Sequence, residues 1–502
     1  MRSYKNKIIT NTLAISISQL FSFSISFILF PFIISHLDAQ SSGIWFFCSA
    51  ITGYFIIFER GPGQAIVKFV AENYSKKDIT EINKYVSSGL FIFLFFGITI
   101  MLVMFLFAHF GTLFFKIDKN SFNIYKNVFY LMGIILSIAF PLKLFISTLR
   151  GLQEFKLIAI SQSIANIIKI ILTFLLLTMG YGIMALVFIN LVWILVVYIP
   201  PIFILRFKYP EIKIRRTYIK HEHLKLLLNF GGILFIIGLI TILIFQTDRI
   251  ILSLFLSISS ITYYAACKKI YDVCRLVPLL ILQAIMPMAS ELNTLKKDDN
   301  NKKLLLLGTK YSYAIFIPIG IFVLFMASDI FKHWIDDEYR QYGIILQILS
   351  FHLFFNFLHH AGSQILIGIK KIRLILPYYI IVFIGNIGLS LILVSKYKMI
   401  GIALGTTIPF VLMEWLYIKM MLNILDVKSS VFFREVIFSN IPTLFASIIL
   451  TVILRYYIII NNLLSLSLVA IFIFTSSMVV FLFCGMHKDE RNNFIVAIRK
   501  KV

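Results

Sequence analysis

Four sets of polar side chains recur at helical spacing inside otherwise apolar stretches. Lys268, Asp272 and Arg275 stand at i, i+4 and i+7, one stripe of a 3.6-residue helix. Arg60, Gln64 and Lys68 form a second stripe, Gln162, Asn166, Lys169 and Thr173 a third, and His352, Asn356, His359 and Ser363 a fourth. Arg grips phosphate oxygens bidentately and Lys acts as a point charge, so the cationic stripes suit a pyrophosphate or acidic sugars. A charge at bilayer depth costs about 2.5–3.5 kcal/mol on insertion scales, so such residues face protein or water. The candidate binding set is therefore Arg60, Gln64, Lys68, Asn166, Lys169, Lys268 and Arg275. A plainer structural reading stands beside it: Lys68, Lys268 and Lys269 lie near interfaces and snorkel to headgroups, or Asp272 pairs with Lys268 or Lys269. Depth separates the two, since Lys169 falls near mid-span and Lys68 near an end.

A second chemistry is ion coupling, for which Glu59, Asp248, Asp272, His359 and Glu414 are candidates. Asp248 and Arg249 are adjacent and point about 100° apart on a helix, so each needs another partner, whether the pair couples an ion or only holds structure. His359 and His360 titrate near neutral pH and could relay protons, but two histidines without a third ligand argue against a metal. Glu414 is the remaining carboxylate inside a span. No cofactor is expected beyond an H+ or Na+ gradient. Gly61, Pro62 and Gly63 in the second span, and Pro278 in the eighth, break the helical hydrogen-bond ladder at comparable depth and are candidate hinges.

The elements that must position these residues are membrane helices. Of 502 residues 60% are hydrophobic and 14% charged, with a mean hydropathy of +0.92 and 51 Phe, far more apolar surface than a water-soluble core can hide. The apolar runs last about 20 residues, the length of a helical crossing, and lack the ten-residue alternation of barrel strands. An all-α integral membrane protein follows, with about fourteen spans: roughly 8–34, 43–71, 86–110, 128–149, 157–179, 182–205, 228–253, 260–289, 304–327, 341–367, 374–395, 399–423, 436–457 and 463–485. The first apolar run continues to Ile34 without a small-x-small cleavage site and reads as a retained span. Cys48, Cys267, Cys274 and Cys484 all fall in spans and suggest packing, without a disulfide framework or metal spacing. The net charge of +24 belongs to short loops, where membrane topology explains it better than nucleic acid does. With a cytoplasmic N-terminus, most Lys and Arg fall on inner loops, and an even span count places both termini inside.

The basic run Arg206–Lys225 divides the chain into an N-lobe (1–206), a cytoplasmic linker (207–227) and a C-lobe (228–424). Two added helices (425–485) and a basic cytoplasmic tail (486–502) follow. GLQEFK (Gly151–Lys156) matches GIKKIR (Gly368–Arg373), and AENYSKKD (Ala71–Asp78) matches SELNTLKKDD (Ser290–Asp299), both at offsets of about 217–219 residues. Spans 1–6 thus map onto spans 7–12 as a parallel repeat.

At GQAIVKFVAENYSKKD, LRGLQEFK, TDRIILSLFLSISSITYYAACKKIYD and IMPMASEL the chain resembles Wzx-type polysaccharide flippases, in the superfamily that also holds multidrug exporters and the lipid II flippase. The resemblance covers spans 1–12 and rests on the order of segments that are individually degenerate. It implies two six-helix lobes facing a central cavity that alternates between inside and outside. It also implies a lipid-linked oligosaccharide as cargo, the bacterial inner membrane as location, and a polysaccharide polymerase and chain-length regulator as partners besides membrane lipids. Family members often carry an acidic residue followed by Gly at the kink of the second span; this chain has Glu59-Arg60-Gly61 instead. Its first span also lacks the charges of the lipid II branch.

A flippase for undecaprenyl-pyrophosphate-linked repeat units of O-antigen or capsule type is therefore the leading reading. An organic-cation antiporter of the same architecture would want unpaired carboxylates and aromatic faces, whereas the mid-span charges here are more often basic. A polysaccharide polymerase or lipid-dependent glycosyltransferase would need a large outer loop; the segment Asp329–Tyr342 is short, and Asp336, Asp337 and Glu338 read as a solvated turn. No enzymatic activity is expected.

Overall fold

The computed structural model describes residues 20–282, 285, 288, 289, 292, 298–369 and 371–492, with backbone alone at 56–60, 230–235, 237, 281, 298 and 372. Nearly all of the described chain is helical, and two compact units, Met1–Thr262 and Tyr263–Val502, divide it.

The first unit holds α1 (Leu20–His36), α2 (Ala39–Tyr54), α3 (Ile56–Ser75), α4 (Ile79–Phe114), α5 (Phe122–Gly151), α6 (Phe155–Thr178), α7 (Gly182–Lys208) and α8 (His221–Phe255). Short polar residues start two of these helices. Asp38 takes the Ser41 backbone N–H at 2.8 Å to cap α2, and Asp78 takes the Glu81 N–H at 3.0 Å to cap α4. Just before Asp78, Lys77 turns the chain with φ of +58°. The AENYSKKD segment is therefore a helix stop followed directly by a helix start.

Along α4 one face is fully buried at Phe93, Ile100, Met104 and Ala108, while Phe95, Leu102 and Leu113 on the other face are more than half exposed. A helix apolar on both faces, one of them uncovered, belongs in lipid. Its protein-facing side is kept narrow: a Cβ at Gly97 would sit 2.7 Å from the Ser137 carbonyl of α5, so only glycine allows this approach.

The basic linker belongs to this unit. Its backbone N–H groups at Lys213, Arg215 and Lys220 donate to Asn83, Ser87 and Ser88 of α4 at 2.8, 3.2 and 3.3 Å. The boundary by packing thus falls at Thr262/Tyr263, past the charge run that marks the seam in sequence, and α8 packs with α2, α3 and α4.

The second unit holds most of α9 (Ser260–Leu282), then α10 (Asp298–Trp334), α11 (Gly343–Phe351), α12 (Leu353–Asn356), α13 (His360–Gly368), α14 (Leu376–Ile424), α15 (Ser429–Tyr457) and α16 (Leu463–Gly485). The helix α10 packs against α11, α13, α15 and α16. Beyond the end of α14, Lys302 hydrogen bonds Asp426 at 2.6 Å and holds that carboxyl below the usual carboxylate range. The helix α14 is divided at Lys398, whose φ of +52° and ψ of −129° reverse the chain between the two spans expected there. Its halves touch closely: Asn386 donates to Thr406 at 2.8 Å, and a Cβ on Gly401 would lie 2.3 Å from the Leu393 carbonyl oxygen. Because a backbone atom cannot swing away, Gly401→Ala is expected to lower stability by about 1–3 kcal/mol, measured as a fall in the thermal unfolding midpoint in detergent.

Two expectations change in detail. Span ten is three helical pieces, bent by 53° between the part ending at Asn356 and α13, so His352, Asn356, His359 and Ser363 do not share one continuous helix. Tight i→i+3 bonds close the breaks, from Phe355 N to His352 O (3.1 Å) and from Leu358 N to Phe355 O (3.0 Å). In the second span, the helix runs unbroken through Gly61-Pro62-Gly63, and the interruption falls at Phe55.

Among the described residues nine helices are long and apolar enough to cross a membrane, ten if the bent pair counts as one. The expected fourteen also count α14 twice and include the short α1, the broken α2–α3 and the charged α9.

Candidate functional site

In the second unit the polar stripes of spans eight and ten come together with a carboxylate from span twelve. The helix α9 presents Lys268, Tyr271 and Arg275, three and four residues apart and so on one face. The Lys268 ammonium lies 4.1 Å from the Tyr271 ring centre and the Arg275 guanidinium 5.5 Å from it, within reach of the ring's negative face. Lys268 and Tyr271 are buried. The Tyr271 hydroxyl is hydrogen bonded to His352 Nε2 at 3.1 Å, and the His352 ring stacks on Phe410 of α14 at 4.7 Å. This links α9, the first break of span ten and α14.

About two turns further along span ten, at the second break, His359 Nδ1 is hydrogen bonded to Glu414 Oε1. The other carboxylate oxygen accepts from the Tyr378 hydroxyl at 3.1 Å. His359 and Glu414 are both fully buried. Tyr417 packs edge-on against His359, stacks on Tyr378 at 4.4 Å and is hydrogen bonded to Ser363 at 2.8 Å. The Nε2 atoms of His359 and His360 are buried without a hydrogen-bond partner among the described residues. An acid–base pair with an unused imidazole nitrogen, walled by tyrosines, can hold and release a proton. Among the described residues no cluster of His, Cys, Asp and Glu could hold a metal.

The remaining expected residues belong to the first unit or to other positions of α9. In the first unit, Asn166 is buried and donates to Ser22 at 2.6 Å and accepts from the Trp193 indole at 3.0 Å. Lys169 is half-buried one turn along α6. Gln64 and Lys68 are exposed on α3, with the Lys68 ammonium 4.9 Å from the Phe69 ring. The side chains of Glu59 and Arg60 lie outside the described residues. Asp248 is buried in α8, and the Arg249 guanidinium reaches the Phe46 carbonyl at 3.5 Å. Asp272 is half-buried on α9, and Pro278 is buried within the same helix. Nothing local in the sequence marks Tyr271, Tyr378 and Tyr417 as members of the site, because tyrosine at helical spacing is equally a packing residue. Glu414 and His359 are 55 residues apart, and no spacing rule joins them.

Comparison with known proteins agrees with this architecture. Over 403 residues, 78% of this chain and 92% of its relative, the sequence is 24% identical to a Shigella flexneri protein described as a "Putative O-antigen transporter". The structure is similar to the lipid II flippase MurJ in an inward closed conformation (TM-score 0.69, 18% identity, 94% of this chain and 98% of that one). It is also similar to an inward-facing multidrug resistance MATE family transporter of the MOP superfamily (TM-score 0.71, 14% identity, 81% and 94%). The two structural likenesses show a shared all-helical fold. A family model described as "Polysaccharide biosynthesis protein" matches residues 8–293, more than half of the chain, and the chain belongs to that family.

Proposed function

We propose that this protein is a flippase that carries an undecaprenyl-pyrophosphate-linked oligosaccharide, of O-antigen or capsule type, from the inner to the outer leaflet of the bacterial inner membrane. It does so by alternating access, with both termini in the cytoplasm and without enzymatic turnover. The family membership supports a role in polysaccharide export, and the Shigella relative's description supports the cargo class. The observation that carries the reading is the pair of cations flanking Tyr271 inside a membrane-length helix. Lys268 and Arg275 place two positive charges on one helical face, and a pyrophosphate headgroup meets them through charge-assisted hydrogen bonds. Without such a path the headgroup would lose its hydration on entering hydrocarbon.

The His359–Glu414 pair supports proton coupling. A sodium site would call for about six oxygen ligands by analogy with other hard cations, whereas this pair offers one nitrogen, one carboxylate and tyrosine hydroxyls. The carboxylate is already engaged, which argues against an organic-cation site. A polymerase and a chain-length regulator are the partners that would take up the delivered units.

Deletion of the gene is expected to remove the surface polysaccharide and to accumulate lipid-linked repeat units on the inner leaflet. Complementation with Lys268→Ala and Arg275→Ala together should restore insertion of the protein but reduce export at least about tenfold, since two lost charge-assisted contacts are worth roughly 1.5–3 kcal/mol each. Export at the wild-type level in that double variant would sink the cationic-face assignment, while normal surface polysaccharide in the deletion strain would sink the cargo itself.

A further inference from the structure

A second site of different chemistry lies at the end of the second unit where α10 passes through residues 335–342 into α11. A polar pocket of about 570 Å³ is lined by Ser328, Asp337, Glu338, Arg340, Gln341 and Gln347. An apolar groove of about 500 Å³ runs on from it, lined by Leu324, Phe351, Leu404, Val411 and Leu412, and again by Gln347. Gln347 therefore lines both. Its amide donates to the Leu324 carbonyl at 2.7 Å, which fixes the side chain as the boundary between the two. On α14 the groove extends from Leu404 to Leu412, eight residues or about 12 Å of helix, long enough for much of an acyl chain.

The neighbouring aromatic residues set the depth. Tyr263, Tyr339 and Tyr342 cluster with ring centres 4.5–6.2 Å apart, the composition of a membrane–water interface. The polar pocket thus sits at headgroup level and the groove at chain level. Two carboxylates beside one guanidinium complement a zwitterion, with a primary amine on Asp337 and Glu338 and a phosphate on Arg340. An anionic headgroup would meet the carboxylates unfavourably.

We propose that the pocket and groove together form a binding site for one membrane phospholipid with an ethanolamine headgroup, its chain lying along α11 and α14. The site shares no residue with the cationic face of α9, and its occupancy does not depend on what the protein transports. A continuous apolar face such as that of α4 offers lipid no polar stop of this kind, so the site selects a headgroup where ordinary lipid contact does not.

The test uses full-length protein in mild detergent, titrated with phosphatidylethanolamine or phosphatidylglycerol and read by native mass spectrometry. One phosphatidylethanolamine per chain should be retained about threefold better than phosphatidylglycerol, the ratio expected of partly exposed ion pairs. Asp337→Asn with Glu338→Gln, both at exposed positions, should erase the preference while leaving some retention of either lipid. Val411→Trp, which fills the groove, should reduce retention of both. Equal retention of the two lipids by the wild-type protein, or a preference that persists in the Asp337/Glu338 double variant, would overturn the assignment. The surface double variant decides the matter even if Val411→Trp fails to fold.

Discussion

Glu414→Gln is expected to yield a folded protein that no longer converts a pH gradient into transport, whereas Glu414→Ala is expected to lose roughly 3–5 kcal/mol of stability. The difference comes from what each change leaves behind. Glutamine keeps an oxygen for the Tyr378 hydroxyl, and its NH2 group meets His359 Nδ1 when the imidazole carries its proton on Nε2, so both contacts are kept by a change of tautomer. It also removes the acid from the pair, and a proton that cannot be bound at Glu414 cannot be passed to His359. Alanine instead leaves the buried His359 imidazole and Tyr378 phenol facing a cavity. Thermal unfolding in detergent separates the two variants, and uptake into vesicles with and without an imposed pH gradient reads the coupling. Gradient-driven transport that survives in Glu414→Gln would exclude this pair as the proton site.

The second large effect is structural and lies on α10. The ammonium of Lys310 is buried at 1% exposure and donates to Glu490 at 2.8 Å. Asn440 of α15 reaches the Lys310 backbone carbonyl at 3.3 Å, and Glu435 on the same helix is bonded to His487 at 2.7 Å. The segment after α16 is thereby tied to α10 and α15. Removing one member of a buried ion pair leaves the other uncompensated, so Glu490→Ala is expected to cost about 3 kcal/mol, the lower end of the range because Glu490 is itself 20% exposed. Lys310→Met keeps the volume, removes the buried charge and should cost far less. Paired unfolding measurements on the two variants check this; equal losses would show that packing, not the charge, holds the segment in place.

The membrane class and the chain positions of the helices were legible because the apolar runs match the thickness of a bilayer, and that thickness is a property of the solvent. The polar stripe of span eight was legible for a similar reason: Lys268 and Arg275 lie on one face of one helix, and 3.6-residue geometry is local. The same rule misjudged span ten, where His352, Asn356, His359 and Ser363 are all buried but the helix breaks twice between Phe351 and His360. No proline or glycine announces those breaks, which are closed by local i→i+3 bonds. Asn166 shows another limit of local spacing: it fits a polar stripe, and the fold brings to its amide Ser22 and Trp193, residues 144 and 27 positions away.

What the sequence determined by itself was therefore whatever depends on short range: which segments enter the membrane and which residues of one unbroken span share a helical face. The tertiary structure alone decided which faces meet. His359 finds Glu414 and Tyr378, Tyr271 finds His352, and Lys310 finds Glu490 only after the spans pack. In an apolar interior a polar group must find a partner wherever the fold brings one. That requirement predicts that partners exist, and only the packed helices decide which residues they are.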